Sequence, residues 1–413
     1  MTKRLRRRCR WRAQRDPKAG TVSTSLDHAQ ALLPRETPVR LIDQNGAAFA
    51  DDTYALPSAE RLVAAYGALV NGRRLNDQCS ALVRQGRMAV YPSSHGQEAC
   101  QVAASLVLGE NDWLFPTYRD TVAIVNRGVT PEEALVLLRG DWHSGYDPHR
   151  TRVAPQATPL ATQLLHAVGL AHAATLRGED TVVMALCGDG ATSEGDFHEA
   201  LNFAAVFMVP VVFFVQNNEF AISVPLAKQT HAPSLAHKAV GYGMPGQRVD
   251  GNDVAAVMAV LTEAVDRARA GGGPSLVEAH TYRMQAHTNA DDDTRYRERD
   301  EVKAWVERDP LTRMRAYLST AGLLSADDEE ALAAEAETMA SDLRDALNRE
   351  VEVDPEDLFK YVYADRPAHL QRQWSQLQDE LARSDAWASG ADAETSGTHG
   401  SAQGNNGTKE LAS

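Results

Sequence analysis

Apolar residues along this chain recur at two different periods, and the alternation between them predicts the fold. Leu62, Val63, Tyr66, Leu69 and Val70 share one face of a helix beginning at Ala59-Glu60, with Ser58 placed to cap its amino end. Leu160–Leu176 is a second helical run, rich in Ala and Leu. Thr181–Cys187 (TVVMALC) is short and continuously apolar, the pattern of a strand buried on both faces, and Gly188-Asp189-Gly190 ends it. A helix follows over Phe197–Phe207, then a buried strand over Pro210–Val215 that stops at Asn217-Asn218. Asp253–Ala270 reads as a helix and Ser275–Ala279 as a third strand. Strands alternating with helices predict an α/β fold: a mostly parallel sheet with helices on both faces and right-handed crossovers. Arg299–Asp345 and Pro367–Arg383 add a helical C-terminal region.

The two ends depart from this pattern. The first 15 residues carry eight basic side chains, among them Lys3, Arg4, Arg6, Arg7, Arg8, Arg10 and Arg12, and no acid. Residues 1–35 are expected to form a disordered basic arm; a mitochondrial transit peptide is the alternative, although the Ser content and amphipathic period are poor. Residues 386–413 are mostly small and polar, and too poor in apolar surface to offset the entropy of ordering. The span 36–385 is expected to be one functional domain.

Composition narrows the function. A net charge of −14 argues against a general nucleic-acid role, and no apolar run reaches the length of a membrane span. The four cysteines, Cys9, Cys79, Cys100 and Cys187, form no CxxC pair or zinc-type spacing. They are expected to be reduced thiols in the cytoplasm, with the mitochondrial matrix as the alternative.

The candidate chemistry sits at two strand ends. In open parallel sheets, ligands bind at the carboxyl ends of the strands. Here two successive strands end in Gly188-Asp189-Gly190 and Asn217-Asn218, separated by the length of a helix and a return strand. If those strands are neighbours, Asp189 and Asn218 face one another. A carboxylate and a carboxamide oxygen are hard ligands suited to Mg²⁺ that also carries phosphate oxygens. Glycines at that turn would let the backbone approach a diphosphate, and the following helix start favours an anion. A nucleotide-dependent dehydrogenase would need GxGxxG after the first strand, and no such run precedes a helix.

The stretch GDGATSEGDFHEALNFAAVFMVPVVFFVQNNEFAIS (Gly188–Ser223) resembles the alpha subunits of the thiamine-diphosphate-dependent pyruvate and branched-chain 2-oxo acid dehydrogenases. The likeness runs over about Pro38–Asp385. It includes GQEA (Gly96–Ala99), YRD (Tyr118–Asp120), PLATQ (Pro159–Gln163), VDGND (Val249–Asp253), HTNADDDTRYR (His287–Arg297) and DPLTRMRAYL (Asp309–Leu318). The resemblance implies the thiamine-diphosphate-binding fold. It implies Mg²⁺ held by Asp189, Asn218 and the carbonyl of Phe220, and a diphosphate gripped by Tyr118 and Arg119. It places Gly190, Ala191 and Glu194 in the cofactor loop, and Leu160 with neighbouring Thr158 against the aminopyrimidine. His287 falls in a loop that closes over the cofactor, followed by Thr288 where mammalian members carry a regulatory serine. That loop is polar and poor in apolar anchors, so it is expected to be mobile until cofactor orders it. Gln216 stands where some branched-chain members carry a basic residue.

The resemblance further implies oxidative decarboxylation of a small 2-oxo acid with acyl transfer to lipoamide on a dihydrolipoyl acyltransferase. A beta subunit in an α2β2 assembly would supply the activating glutamate. GQEA leans towards pyruvate; PLATQ and Leu358–Tyr363 (LFKYVY) lean towards branched-chain substrates. The expectation is pyruvate. A non-catalytic phosphate-binding module would leave Tyr118, Arg119 and His287 without a purpose.

Overall fold

The computed structural model describes residues 30, 32–140, 145–349 and 354–388. Seven strands form among these described residues, and five of them make one parallel sheet. They are β1 (Trp113–Phe115), β2 (Val183–Gly188), β3 (Val211–Asn217), β4 (Phe220–Ala221), β5 (Val224–Pro225), β6 (Gly246–Asp250) and β7 (Ser275–His280). The sheet order is β1-β2-β3-β7-β6, and β4 pairs with β5 as a small hairpin. Residues 1–29 of the basic arm, Cys9 included, and 389–413 of the polar tail lie outside the described residues.

Alternate side chains of the strands feed two cores. The helices are α1 (Ala59–Arg84), α2 (Glu98–Leu106), α3 (Thr121–Asn126), α4 (Pro131–Arg139), α5 (Thr162–Arg177), α6 (Gly195–Phe207), α7 (Val254–Arg269), α8 (Arg299–Val306), α9 (Pro310–Thr320) and α10 (Ala326–Asn348). Met184, Leu186, Val212, Phe214 and Val277 pack with apolar residues of α1 to α4, α7, α9 and α10. Val183, Ala185, Val211, Phe213, Val215 and Leu276 point the other way, onto α5, α6 and the 3-10 turns at Leu235–Tyr242. Burial on both faces explains why the strands carry almost no polar residue. The β2–α6–β3 crossover steps one way across the sheet and β6–α7–β7 steps back on the opposite face, so both have the same hand.

The expected elements form with small shifts. The strand expected over Thr181–Cys187 runs Val183–Gly188, and the helix expected from Leu160 begins at Thr162 because Ala161 adopts φ +64°. Ser58 caps α1 by accepting from the Arg61 amide. The C-terminal helical region of the first unit is α8 to α10, broken where Asp309 and Ser325 cap new helices. The strands β1 and β6 were not read from the sequence: β1 is three residues long, and β6 carries half-exposed Gln247 and Arg248.

An early segment shields the edge of the sheet. Val39 bridges to Val249 of β6, on the side away from β7. The amides of Leu41 and Ile42 both donate to one carboxylate oxygen of Asp253, at 2.7 Å each. The other oxygen of Asp253 caps α7 at the Ala256 amide. Covering an outer strand in this way removes a template for edge-to-edge association.

The chain divides into two compact units, up to Arg349 and from Glu350. In the second, helix α11 (Ala368–Ala388) follows a turn at Asp357–Lys360, and Arg366 pairs with Glu356 at 2.7 Å. Among the described residues no helix is long and apolar enough to cross a membrane. Cys79, Cys100 and Cys187 are buried and free, their thiols pushed well up by burial.

A candidate active site at the carboxyl rim of the sheet

The strands β2 and β3 are neighbours in register, Gly188 opposite Gln216, so the polar residues that follow each strand meet at one rim. A cavity of about 360 Å³ opens there. The loop after β1 brings Tyr118 and Arg119 to it, and β2 brings Gly188, Asp189, Gly190 and Ala191. From β3 come Asn218 and Phe220, and from beyond β7 come Arg283 and His287. Leu160 lies at the mouth, 40% exposed, and Glu194 lines it from an exposed position. Thr158 is exposed and does not line the cavity; its neighbours Ala157 and Pro159 do. The structure therefore unites every expected site residue except Thr158.

The charges of Asp189, Arg119 and Arg283 in this cavity are buried and, among the described residues, in no ion pair. Asp189 is 1% exposed, forms no ion pair among the described residues, and accepts from Gln229 at 2.6 Å. Burial pushes its carboxyl above the usual carboxylate range. Arg283 is fully buried and Arg119 nearly so, and neither pairs with a carboxylate among the described residues. Arg119 donates to the Ser93 carbonyl at 2.8 Å and to His287 Nδ1 at 2.9 Å. Arg283 donates to the carbonyls of Ile222 and Phe220 at 2.7 and 3.4 Å and to the Tyr296 hydroxyl at 3.0 Å. Burial and the nearby Arg119 lower its pKa. Two buried guanidiniums and two buried carboxylates, Asp120 and Asp189, line the cavity, and among the described residues neither arginine pairs with either acid. Buried charges without partners are costly unless a ligand carrying both signs completes them. A divalent cation carrying a diphosphate has both parts: a cation that would suit Asp189, and phosphates that would suit the arginines.

The backbone at the rim is specialised. Ala161, Glu219 and Ile222 adopt φ of +64°, +71° and +56°. Such values are uncommon for residues with a side chain and most unusual for a β-branched one, and they cluster at functional sites. Gly188 leaves open space, since a Cβ there would meet nothing within 4 Å. Gly190 lines the cavity, and a neighbouring element also needs it to be small. A Cβ on Gly190 would stand 2.7 Å from the Ala221 Cβ, so its close approach is to the β4–β5 hairpin.

The 287–297 loop, read from the sequence as poor in apolar anchors, is held by polar ones. The His287 amide donates to Asp291 at 2.8 Å, and the Tyr296 hydroxyl bonds the same carboxylate oxygen. Arg297 is 7% exposed and bonds the carbonyls of Arg283 and Met284. These anchors are polar, which is why apolar pattern does not reveal them.

Because arginine only donates, His287 Nδ1 is the acceptor and the ring proton sits on Nε2. Burial, Arg119 and Arg283 lower the His287 pKa from 6.5 to about 4. Between those values the unfolded chain binds a proton that the folded chain does not, so stability falls as pH drops from 6.5 towards 4. His287→Asn should lose roughly 1–3 kcal/mol less than the wild type across that window in urea unfolding without cofactor. Equal losses in the two proteins would show that His287 is not held neutral.

Sequence reading missed Arg283, Gln229 and Gln97 as cavity residues. Arg283 had a usable signal, a charged residue three positions beyond a buried strand. Gln229 had none, because the hairpin that returns it to Asp189 is invisible in the pattern.

Comparisons with known proteins agree with this geometry. The model of the family described as dehydrogenase E1 component matches residues 68–356. The 3-methyl-2-oxobutanoate dehydrogenase subunit alpha of Mycobacterium tuberculosis is 50% identical over 350 residues, covering 84% of this chain and 95% of the relative. The pyruvate dehydrogenase E1 component subunit alpha of Staphylococcus aureus is 38% identical over 338 residues, covering 81% of this chain and 91% of the relative. The chain belongs to the dehydrogenase E1 component family, as an alpha subunit of a thiamine-diphosphate-dependent 2-oxo acid dehydrogenase.

Proposed function

We propose that the rim cavity holds the diphosphate end of thiamine diphosphate through Mg²⁺, and that the complete enzyme oxidatively decarboxylates a branched-chain 2-oxo acid. The observation that carries the cofactor reading is the buried charge of Asp189 opposite Arg119 and Arg283, with no ion pair between them. Asp189 and Asn218 would offer side-chain oxygens and Phe220 its carbonyl, a hard donor set suited to octahedral Mg²⁺. The Phe220 carbonyl has a second lone pair beside the one Arg283 engages. Arg119 and Arg283 would grip phosphate oxygens, with Tyr118 beside them.

When bound, thiamine diphosphate supplies the nucleophilic carbon and the electron sink for decarboxylation. This chain's residues bind, orient and keep the site dry. His287 Nε2–H would donate to a phosphate or substrate oxygen at the mouth. Gly190, Ala191 and Glu194 shape the turn beneath the diphosphate, and Leu160 would meet the aminopyrimidine end. Thr158 is assigned no role. A beta subunit in an α2β2 assembly would complete the site, and the acyl group would pass to the lipoyl arm of a dihydrolipoyl acyltransferase.

Sequence motifs divide, GQEA leaning towards pyruvate and PLATQ and Leu358–Tyr363 towards branched-chain substrates, and the expectation from them is pyruvate. The higher identity to a relative named for 3-methyl-2-oxobutanoate, 50% against 38%, supports the branched-chain reading instead. The test is kcat/KM for 3-methyl-2-oxobutanoate and for pyruvate, measured with the reconstituted alpha–beta enzyme. A preference of about tenfold or more for the branched substrate is expected, the scale on which an apolar pocket separates small side chains. A preference for pyruvate would reverse the assignment.

A further inference from the structure

One series of buried side chains runs along the wall of the cavity. Asp120, at the start of α3, is 1% exposed. One of its oxygens accepts from the amide and the hydroxyl of Thr117, at 2.7 and 2.8 Å. The other accepts from Gln216 Nε2 at 2.7 Å. Gln216 Oε1 accepts from Gln97 Nε2 at 3.4 Å, and Gln97 Oε1 accepts from Asn218 Nδ2 at 3.0 Å. All four side chains are at least 95% buried.

A carboxamide has a donor end and an acceptor end, whereas an ionised carboxylate only accepts. Polarity therefore propagates along the series. Asp120 admits only the nitrogen of Gln216, which turns the Gln216 oxygen towards Gln97. Gln97 must answer with its nitrogen, so its oxygen faces Asn218. Asn218 must then direct its nitrogen at Gln97, which leaves its oxygen on the opposite side. That oxygen accepts from the Phe220 amide at 3.2 Å, and it is the atom offered to a cation.

We infer that Asp120, Gln216 and Gln97 are positioning residues that fix the direction of the Asn218 carboxamide, so that an oxygen and not an N–H group faces the metal. The inference rests on the proposed cation site. It gives Gln216 a purpose that does not require charge. It also explains how a residue two side chains removed from Asn218 would govern metal binding.

The series predicts an unusual genetic result. Asp120→Asn is nearly isosteric. The Thr117 amide still demands an acceptor, so the new carboxamide would keep its oxygen there and turn its nitrogen to Gln216. Each carboxamide must then reverse, or one link must break. A full reversal presents the Asn218 N–H to the cation. Adding Gln97→Glu restores an acceptor-only group beside Asn218 and also satisfies the reversed Gln216. The double variant D120N/Q97E thus moves one carboxylate along the series and should recover the Asn218 orientation.

The experiment measures free Mn²⁺ by electron paramagnetic resonance during titration of the full-length alpha–beta complex with thiamine diphosphate present. Wild type should bind Mn²⁺ and Asp189→Ala should not. Asp120→Asn should bind roughly 10–100-fold more weakly, the scale of lost outer-shell support for a metal ligand. The D120N/Q97E variant should return to within a few-fold of wild type, which a merely structural role for Asp120 would not allow. Gln216→Leu, which cuts the series and leaves Asp120 intact, serves if Asp120→Asn does not fold, and should also weaken binding. Wild-type affinity in Asp120→Asn or in Gln216→Leu would overturn the inference, as would failure of the double variant to recover. Absence of binding by the wild type would instead remove the cation site, and this inference with it.

Discussion

Asp189→Asn is expected to abolish cation-dependent cofactor binding while making the ligand-free chain more stable. The two effects have one cause. Asp189 is buried with no cationic partner among the described residues, and its carboxyl titrates above the ordinary range. A raised folded-state pKa means that, as pH rises through it, the folded chain must ionise a group the unfolded chain ionises more easily. At neutral pH the charge therefore opposes folding. An amide of the same shape removes that opposition and still accepts from Gln229. It also removes the anionic oxygen offered to the cation. The loss of affinity should exceed the roughly 10–100-fold typical of outer-shell changes, because a direct ligand is lost. Thermal denaturation with and without thiamine diphosphate and Mg²⁺ reads both effects: a higher midpoint without ligand, and no further rise when ligand is added. A ligand-induced rise equal to that of wild type would remove Asp189 from the site.

The second large effect is all or none: the purified chain should not turn over a 2-oxo acid by itself. Its cavity is open where apolar side chains crowd the rim, with Leu160, Ile222 and Val224 exposed around the mouth. The outer face of α6 shows Phe203 and Phe207 stacked together, with Val206 68% exposed beside them. Large apolar groups gathered in this way are the mark of a surface that a partner covers. Among the described residues that line the cavity, the carboxylates are Asp120, Asp189 and Glu194, and none is a spare buried acid at the mouth. Decarboxylation assayed with an artificial electron acceptor should appear only when alpha and beta chains are mixed. Turnover by the alpha chain alone would place the whole active site within it.

The helices and central strands were legible because burial on two faces leaves a strong apolar signature, as at Val183–Gly188 and Val211–Asn217. Asp189, Gly190 and Asn218, proposed to meet the cation and diphosphate, were legible because they immediately follow those strands. What stayed hidden depends on side chains meeting across long sequence distances. Gln216 contacts Asp120 and Gln97, and Arg283 reaches the carbonyls of the β4–β5 hairpin. No local period encodes such meetings. Thr158 shows the converse: adjacency in sequence to Leu160 did not bring it into the cavity, because the intervening chain turns its side chain to solvent.

The edge cover at β6 also has a consequence for how the molecule is made. Leu41 leaves the ribosome 212 residues before Asp253, the carboxylate its amide needs. At roughly 5–20 residues per second, that interval lasts about 10–40 seconds. Throughout it, the segment around Val39 has no docking site, and the sheet cannot gain its last strand or the cover over it. Synthesis from the amino end therefore cannot complete this fold progressively. The segment around Val39 is made long before it can find its place, because its strand β6 joins the sheet only through β7, which emerges later still.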